Sequence, residues 1–414
     1  MGGMPAKDRM RPPRRWRIKP VRISVSNIGP FRGDRFHTVT FIGPRTGNEE
    51  APRPLADIFM MVGPNGCGKT TILDCIAATF DLLQSDQSDY LKSRADEQTR
   101  IVLDLHAIYQ SGRSRGEFLL RILFGYAASQ LSQLDLPHLP RFDDLPTGTI
   151  GFSGRPDGYS PPQCDENGQL FYDSVRKDDG RWSPDHSQGE VAAPVVLFFQ
   201  PNWTFGVVEP SYRRRQVSSR YASVQRLSTI WKNNELFHQV IHYYKWERPE
   251  EFRKLVRWLN KYVFAQFGIR KELFPNERTS NQHHLYSSLL VDPEPLSCGQ
   301  EADRDGKRSD LERDRRSHGI ELLGSGEQML LQLFAWLKLH EKRSAIILID
   351  ELHVHLHGRT SELLLAALEK LSARMAGLTI LFTTHDLSLI GKFVEGATAA
   401  GRRGGAVVGE TVEA

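Results

Sequence analysis

An apolar strand that leads directly into a glycine-rich loop and then a helix is the feature that most constrains the fold of this chain. Residues 58–62 are continuously apolar, the loop from Gly63 to Thr70 reads GPNGCGKT, and residues 71–80 have a helical pattern. GxxxxGK[ST] between a strand and a helix is the signature of a phosphate-binding loop. Its glycines let backbone N–H groups face a β-phosphate, and the helix N-terminus adds a favourable dipole. We therefore expect Lys69 to reach the β- and γ-phosphate oxygens and Thr70 to bind Mg²⁺.

A second apolar strand ends in two adjacent acids. Residues 345–349 are followed by Asp350 and Glu351. Open α/β sheets bind ligands at the carboxyl ends of their strands, so both acids should lie at the same edge as the phosphate loop. Phosphoryl transfer depends on positioning and charge stabilisation. Asp350 is therefore predicted to be a Mg²⁺ ligand, and Glu351 to orient or deprotonate an attacking water.

Two further polar residues follow predicted strands. After residues 378–382 comes His385, whose imidazole can donate to a γ-phosphate, although an isolated histidine at a strand end is more often structural. After residues 195–199 comes Gln200, whose amide could contact Mg²⁺ or the water, or could be an ordinary strand-end residue. The position of His385 one strand after the acidic pair favours the functional interpretation.

A helix N-terminus later in the chain provides a second predicted anion site. Residues 323–328 read LGSGEQ and precede a helical run, so backbone N–H groups and the Ser325 hydroxyl should be accessible. Because the phosphate loop already holds one side of a nucleotide, we expect Ser325, Gly326 and Glu327 to meet the γ-phosphate of a nucleotide on another subunit. The alternative is an ordinary helix start capped by Ser325.

Positive charge is concentrated at the start of the chain. The 54 Lys and Arg against 50 Asp and Glu give a net charge of +4, while residues 1–22 hold eight bases and one acid. The remainder is therefore slightly acidic, and both a solvated arm and a nucleic-acid contact are open for this segment. The arginines at 213–215 and Lys254 are further candidates for DNA phosphate contacts, with a solvated loop or intersubunit salt bridges as the alternative.

Cysteine, histidine and hydropathy patterns argue against disulfide-rich, secreted, membrane-spanning and zinc-binding classes of protein. The four cysteines form no CxxC pair and the apolar runs are strand-sized, so a disulfide framework, a secretory signal and a membrane span are not predicted. His353, His355 and His357 alternate, but the acidic pair and a nucleotide account for this neighbourhood without another metal. We expect a cytoplasmic protein.

Periodicity organises the rest of the chain. Alternating residues at 21–25 and 36–41 predict a hairpin-like pair, and those at 101–105 and 118–124 predict an antiparallel sheet beside the main one. Residues 126–190 are predicted to be an insertion of loops and short strands. Two packed helices are expected within 231–267, a charged loop at 301–318, and alternating helices and strands of a parallel sheet from 319 onward.

Together these motifs resemble the ABC-type ATPase head found in structural-maintenance-of-chromosomes (SMC), RecF and OLD proteins. The order of phosphate loop, Gln200, GSGEQ segment, acidic pair and Thr-Thr-His is similar to theirs, and residues 23–32 resemble the first strand of such heads. The sequence DELHVHLHG at 350–358 resembles the DEPELHLHP stretch of OLD-like ATPases, with His353 in place of an acid. Leu352 and Gly358 replace its prolines.

The resemblance implies an α/β P-loop NTPase fold, an ABC-type ATPase head with a parallel core sheet, a flanking antiparallel β-sheet and a helical lobe. It implies ATP and Mg²⁺ as ligands, with Lys69, Glu351, His385 and Gln200 as catalytic residues and Thr70, Asp350 and Gln200 at the metal. The segment 355–358 would contact a partner subunit. The implied nucleotide contacts are Gly63, Pro64, Asn65, Gly66, Cys67, Gly68, Lys69, Thr70 and Thr71, with Ser325, Gly326 and Glu327 acting from a second subunit.

On this basis the chain divides into five predicted parts: a basic tail (1–20), an N-terminal ATPase lobe (21–125), the insertion (126–190), a helical lobe with the charged loop (191–320) and a C-terminal ATPase lobe (321–414). No heptad pattern of coiled-coil length lies between Gln200 and Gly324. The roughly thirty residues after His385 are too few for the Toprim nuclease of full OLD proteins.

The chain therefore resembles a stand-alone head, similar to ATPase subunits of the Septu, PARIS and retron-associated anti-phage systems. The resemblance implies a homodimer or higher oligomer that forms around ATP and regulates a separately encoded effector, often a nuclease. A RecF-like repair ATPase that binds DNA directly remains the alternative. A membrane-transporter subunit is disfavoured by the 27–32 opening, by the insertion and by GSGEQ in place of LSGGQ.

Overall fold

The structure is a computed structural model that describes part of the chain. The described residues are 14–43, 54–85, 88–111, 114–125, 139–155, 158–159, 161–176, 194–200, 237, 241, 244–275, 289–293, 317–341, 344–354, 356–375, 377–400 and 403–408. The first thirteen residues, the arginines at 213–215, His355, most of the predicted first helix of 231–267 and nearly all of the charged segment 301–318 lie outside them.

The described elements alternate between strands and helices. The strands are β1 (Arg14–Ser26), β2 (His37–Thr40), β3 (Ile58–Val62), β4 (Arg100–Ser111), β5 (Ser114–Phe124), β6 (Thr147–Phe152), β7 (Gly154–Arg155), β8 (Gly158–Tyr159), β9 (Gln163–Cys164), β10 (Val195–Phe199), β11 (Glu272–Pro275), β12 (Leu289–Asp292), β13 (His318–Gly319), β14 (Ala345–Ile349), β15 (Leu378–Thr383) and β16 (Arg403–Val407). The helices are α1 (Lys69–Ser85), α2 (Asp89–Arg94), α3 (Glu166–Arg176), α4 (Pro249–Leu259), α5 (Ser325–Leu339), α6 (Gly358–Arg374) and α7 (Leu387–Ala400).

A five-stranded parallel sheet forms the centre of the structure, in the order β10-β14-β15-β3-β16. Strands β3, β10 and β14 are apolar throughout because both of their faces are covered. Along β14, Ile346 and Leu348 pack into one core with α1, while Ile347 and Ile349 pack into another with α5 and α6. The sequence predictions for β3, β10 and β14 are confirmed at both ends.

A second, mainly antiparallel sheet covers α1 from the other side, in the order β2-β1-β4-β5-β6-β9. The predicted β1–β2 pair is confirmed by the register Ile23 to Val39, and the predicted β4–β5 pair by Leu103 to Ile122. Helix α1 therefore lies between two sheets, and its first turn lies at the edge of the parallel sheet.

The N-terminal boundary differs from the sequence expectation. Strand β1 begins at Arg14, so residues 14–20 of the predicted basic tail belong to the sheet, where Trp16 and Ile18 are buried and Arg17 is exposed. This is the period-2 alternation of a half-buried strand. The many bases between these apolar residues conceal the pattern in the sequence.

Two of the N-terminal bases are engaged inside the protein. Arg22 is buried and donates through Nε to Asp104 Oδ2 at 2.7 Å, and Arg121 Nε donates to Asp104 Oδ1 at 2.8 Å. Lys19 forms an ion pair with Asp57. These contacts remove Lys19 and Arg22 from the charge available to an external anion.

The remaining elements also refine the predictions. The segment predicted as loops and short strands contains the eleven-residue α3, and β6 joins the second sheet parallel to β5. Helix α4 continues into a π-helical turn, residues 260–264, and packs with α5 and the three-stranded sheet β11-β12-β13. Residues 328–337 of helix α5 are all buried, because the helix packs against both the parallel sheet and α4.

Candidate functional site

The phosphate loop connects β3 to α1 at the carboxyl edge of the parallel sheet. Gly68 has φ +105°, and a Cβ atom there would lie 2.3 Å from Phe31 Cζ, so the position requires glycine for its conformation and for space. Lys69 is buried, and its Nζ donates to Gly63 O at 2.8 Å and Pro64 O at 2.9 Å. A phosphate oxygen can replace these carbonyls as the acceptor, with a stronger bond because the donor and the acceptor are then both charged.

The turn after β1 packs against this loop. Phe31 contacts Gly68 as described, and a Cβ atom on Gly29 would lie 2.9 Å from Thr71 Oγ1. Arg32, next along the chain, is exposed. From the sequence, residues 23–32 were expected only to resemble the first strand of such ATPase heads. In the structure, the end of this segment also packs against the phosphate loop.

A hydrogen-bonded chain connects the phosphate loop to the acidic pair. Thr70 Oγ1 donates to Asp350 Oδ2 at 2.8 Å, and Thr383 Oγ1 donates to Asp350 Oδ1 at 2.7 Å. Thr383 Oγ1 also accepts a 2.8 Å hydrogen bond from the backbone N–H of Glu351. Both oxygens of the buried Asp350 are thus occupied, and the backbone of Glu351 is fixed to the neighbouring strand.

Glu351 has an uncommon backbone conformation. Its φ is +55°, and among the described residues Asn27 is the one other non-glycine residue with a positive φ. This conformation costs about 1 kcal/mol for an ordinary side chain and clusters at functional sites. The side chain is 31% exposed, so the carboxylate remains accessible to water and ligands.

Two histidines meet beside Glu351. His385 Nδ1 lies 3.8 Å from Glu351 Oε1, and His385 Nε2 lies 3.1 Å from His353 Nε2. The rings are nearly perpendicular, and Thr384 Oγ1 bonds to His353 Nδ1 at 3.0 Å. Burial, followed by the neighbouring His385, lowers the pKa of His353, so its imidazole is neutral at pH 7.

Gln200 lies at the same edge of the sheet. The register pairs Phe199 with Ile349, and Asp350 N donates to Phe199 O at 2.8 Å. Gln200 is half-buried and follows directly, so its backbone is adjacent to Asp350.

The GSGEQ segment starts α5 as predicted, with Gly324 rather than Ser325 as the N-cap residue. Glu327 Oε2 accepts from Gly324 N at 2.9 Å and from Lys271 Nζ at 2.6 Å, so this carboxylate has partners within its own chain. Ser325 is exposed. Across the described part of the chain, no hydrogen bond or ion pair joins residues 325–327 to the phosphate loop.

A buried carboxyl group lies beneath the site. Burial, and secondly the charge of Asp350, raises the pKa of Asp74 to about 7. Asp74 Oδ1 is buried without a hydrogen-bond partner. A protonated Asp74 avoids placing a second negative charge near Asp350. No sequence pattern indicates Asp74, because its role depends on burial within α1.

The residues at this edge fit a magnesium ion. Mg²⁺ prefers oxygen ligands and is commonly held by one or two protein groups together with substrate phosphates. The Thr70 hydroxyl and the Asp350 carboxylate supply such oxygens 2.8 Å apart, at the start of α1. The Gln200 amide lies at the adjacent strand end.

The structure therefore brings together the phosphate loop, Asp350, Glu351, His385 and Gln200, and it leaves Ser325, Gly326 and Glu327 without a contact to that loop among the described residues. In the sequence, Thr383 stands out only as part of the Thr-Thr-His motif. Its two contacts follow from the register of β14 and β15, in which Phe382 is opposite Ile349.

The sheet order, the phosphate loop after β3 and the acids after β14 define an α/β P-loop NTPase with the architecture of an ABC-type ATPase head: a parallel core sheet, a flanking antiparallel sheet and a helical lobe. In the described residues, no helix is long and apolar enough to cross a membrane.

Family comparisons agree with the two motif regions. A family model described as "AAA domain" matches residues 22–102, and another described as "AAA domain, putative AbiEii toxin, Type IV TA system" matches residues 228–391. No curated protein matches the chain. The two family matches together contain the phosphate loop, the GSGEQ segment, the acidic pair and His385.

Several solved structures are similar to the chain at low identity. They include an SMC head bound to the C-terminal winged-helix domain of ScpA (12% identity, TM-score 0.42, 90% of this chain and 91% of that chain). They also include the SMC head domain from Thermotoga maritima (12%, 0.35, 90% and 92%) and the recombination mediator RecF with ATP (11%, 0.36, 89% and 93%).

Proposed function

We propose that this chain binds ATP with Mg²⁺, assembles with a second copy around the nucleotide and hydrolyses it. The observation that carries this proposal is the hydrogen-bonded chain from Thr70 through Asp350 and Thr383 to the backbone of Glu351. It joins the phosphate loop to both acids, so a phosphate held by the loop would lie beside them.

Each residue then has a chemical task. Lys69 exchanges its two carbonyl acceptors for β- and γ-phosphate oxygens, and backbone N–H groups of residues 63–71 surround the phosphates. Thr70 and Asp350, with Gln200 nearby, would hold Mg²⁺, which neutralises charge on the phosphates when bound. Glu351 orients the attacking water and accepts its proton, and His385 donates to the γ-phosphate.

Assembly of two copies is proposed because, in the described residues of one copy, the N-terminus of α5 is not in contact with the phosphate loop. The exposed Ser325 and the N-terminus of α5 form an anion-binding end that does not contact the phosphate loop of the same chain in the described residues. A second copy would bring this end to the γ-phosphate. Such an arrangement makes association dependent on ATP and reversible on hydrolysis.

We further propose that the ATP-dependent assembly controls a separately encoded effector, a nuclease, in bacterial anti-phage defence. Two considerations support this role. The motifs resemble those of stand-alone ATPase heads of defence systems, and the family matching residues 228–391 is described as including a putative toxin. Nothing in the site itself specifies the effector, so a partner has to be sought directly.

A RecF-like ATPase that binds DNA is the second candidate, because bases are exposed on the helical lobe. Lys254 and Arg257 are exposed on α4, whereas Lys19 and Arg22 are engaged by Asp57 and Asp104. Phosphate contacts make DNA affinity fall steeply with salt. An affinity that stays constant between low and physiological salt would exclude direct contacts of this kind.

The mass of purified Glu351→Gln protein, with and without ATP, tests the proposal. We expect ATP to convert this variant into a stable dimer or higher oligomer, because bound ATP is not removed by hydrolysis. Introducing Ser325→Arg into the same variant should abolish the ATP-dependent assembly while ATP still binds. A monomer under all conditions, with ATP bound, would show that assembly through Ser325 is wrong.

The same variant, recovered from its native host, tests the effector. Co-purification of one stoichiometric protein with the ATP-bound assembly, lost with Ser325→Arg, supports the defence role. Salt-sensitive DNA binding without a protein partner would instead favour the RecF-like function.

A further inference from the structure

Glu351 and His385 lie beside a second histidine, His353, to which the proposed nucleotide chemistry gives no role. Glu351, His353 and His385 each present one ligand atom within 4.8 Å of the others. They come from loops after two adjacent parallel strands, β14 and β15, whose register is fixed by backbone pairing. The cluster is therefore built into the edge of the sheet.

From this geometry we propose that Glu351, His353 and His385 bind a borderline divalent transition metal ion of the Zn²⁺ type. Two imidazoles and a carboxylate are a common protein ligand set for Zn²⁺, with a fourth position left for water. Mg²⁺ prefers oxygen ligands, so this site is chemically distinct from that of Thr70 and Asp350.

Distances support a metal between the histidines. Zn–N bonds of about 2.0–2.1 Å at a tetrahedral angle place two ligand nitrogens roughly 3.3–3.4 Å apart. His353 Nε2 and His385 Nε2 are 3.1 Å apart, so a small side-chain displacement is sufficient. Glu351 and His385 are partly exposed, and the Glu351 carboxylate can approach by rotation.

The outer contact of His353 is of the kind that metal-binding histidines have. Such histidines usually bond through their second ring nitrogen to a fixed polar group, which sets the orientation of the ring. Thr384 Oγ1 occupies this place at His353 Nδ1, at 3.0 Å, and leaves Nε2 free to face His385. The position that holds an acid in the related DEPELHLHP stretch thus holds an oriented imidazole here.

Metal binding would control the rate of ATP hydrolysis, and this part of the inference rests on the proposed function. A metal ion bound by the Glu351 carboxylate would prevent that carboxylate from activating water. The same ion would bind His385, whose imidazole would then be unavailable to the γ-phosphate. The phosphate loop is not involved. Zn²⁺ should therefore inhibit hydrolysis at saturating ATP and Mg²⁺, while ATP still binds through the phosphate loop.

Binding is tested directly on the full chain without nucleotide. Co²⁺ serves as a spectroscopic probe, and Zn²⁺ bound per chain is measured by equilibrium dialysis in excess Mg²⁺. We expect one Zn²⁺ per chain that His353→Gln and His385→Gln each weaken by at least about tenfold. The control is His357→Gln, which removes an exposed histidine at the start of α6, outside the cluster, and should leave metal affinity unchanged.

Different results separate the two proposals. If Zn²⁺ binding is absent, or is unaffected by His353→Gln and His385→Gln, the metal site is wrong and the histidines share an ordinary hydrogen bond. If Zn²⁺ binds as expected but the Zn²⁺-free protein hydrolyses no ATP in the presence of Mg²⁺, the proposed ATPase function is wrong. The proposed metal site is then still supported. If both hold, Zn²⁺ should lower turnover about tenfold or more in the unmodified chain, and by less than about twofold in His353→Gln relative to that variant's own metal-free rate.

Discussion

Thr70 Oγ1 and Asp350 Oδ2 are 2.8 Å apart although 280 positions separate the two residues in the chain. The contact joins the first turn of α1 to the end of β14, across the intervening strand β15. Thr383, on that intervening strand, bonds to the other oxygen of Asp350. The geometry expected to receive Mg²⁺ is therefore set by the sheet.

Asp350→Asn should separate Mg²⁺ binding from nucleotide binding. An amide keeps the size of the side chain but loses the charge and presents a single acceptor oxygen. We expect the gain in ATP affinity caused by Mg²⁺ to fall by about tenfold or more, with metal-free ATP binding little changed. Calorimetric titration with and without Mg²⁺ measures this, and Asp89→Asn, at an exposed position in α2, is the control.

Lys69→Ala should weaken ATP binding itself. The lysine contributes a charge-assisted hydrogen bond of about 1.5–3 kcal/mol, which corresponds to a loss of roughly 10- to 100-fold in affinity. Lys370→Ala, on an exposed face of α6, should bind like the unmodified protein. Unchanged calorimetric affinity in Lys69→Ala would remove this residue from the site.

Glu351→Gln should bind ATP normally and turn it over slowly. General-base assistance is worth about 10²- to 10⁴-fold, and the amide cannot accept the proton. Steady-state phosphate release measures the loss, and Glu341→Gln, exposed after the end of α5, is the matched control. Hydrolysis at the unmodified rate would transfer the role of base to another group.

The accuracy of sequence-based prediction differed between elements for physical reasons. Strands β3, β10 and β14 were predicted with their correct ends because burial on both faces leaves a continuous apolar run with polar residues directly after it. Strand β1 was predicted to start too late because bases alternate there with Trp16 and Ile18. Local composition conceals a strand when its exposed face is strongly charged.

The contacts between residues inside the site could not be predicted from local sequence patterns. Thr383 bonds to Asp350 because β14 and β15 are neighbours in one register, and His353 meets His385 for the same reason. A sequence shows that each residue follows a strand, but not which strands are adjacent. The sequence did predict that the phosphate loop and the acidic pair lie at the same edge of the sheet, because each directly follows an apolar strand.

Asp104→Asn should destabilise the N-terminal sheet strongly. Asp104 is buried and holds both Arg22 and Arg121, and burial lowers the pKa of Arg22 without removing its charge at neutral pH. Removing one member of a buried ion pair leaves an uncompensated charge and costs about 3–5 kcal/mol. Urea unfolding measures the loss. Glu117→Gln, on the neighbouring strand β5 and partly exposed, should cost less than about 1 kcal/mol.

Asp74→Asn should change how stability depends on pH. Because its folded pKa is raised to about 7 from 3.8, the folded protein keeps a proton that the unfolded chain releases, and stability falls as pH rises between these values. The asparagine variant lacks this loss. From pH 5 to pH 8 it should therefore gain about 2–3 kcal/mol relative to the unmodified protein.

The measurement is urea unfolding at both pH values without nucleotide or Mg²⁺, and only the difference between the two proteins is interpreted. Asp89→Asn, exposed at the start of α2, should follow the pH dependence of the unmodified protein. Since the charge of Asp350 contributes to the raised pKa, Asp350→Asn should reduce the benefit of Asp74→Asn at pH 8. An equal benefit in both backgrounds would show that burial alone raises the pKa of Asp74, and that the two carboxyl groups beneath the phosphate loop titrate independently.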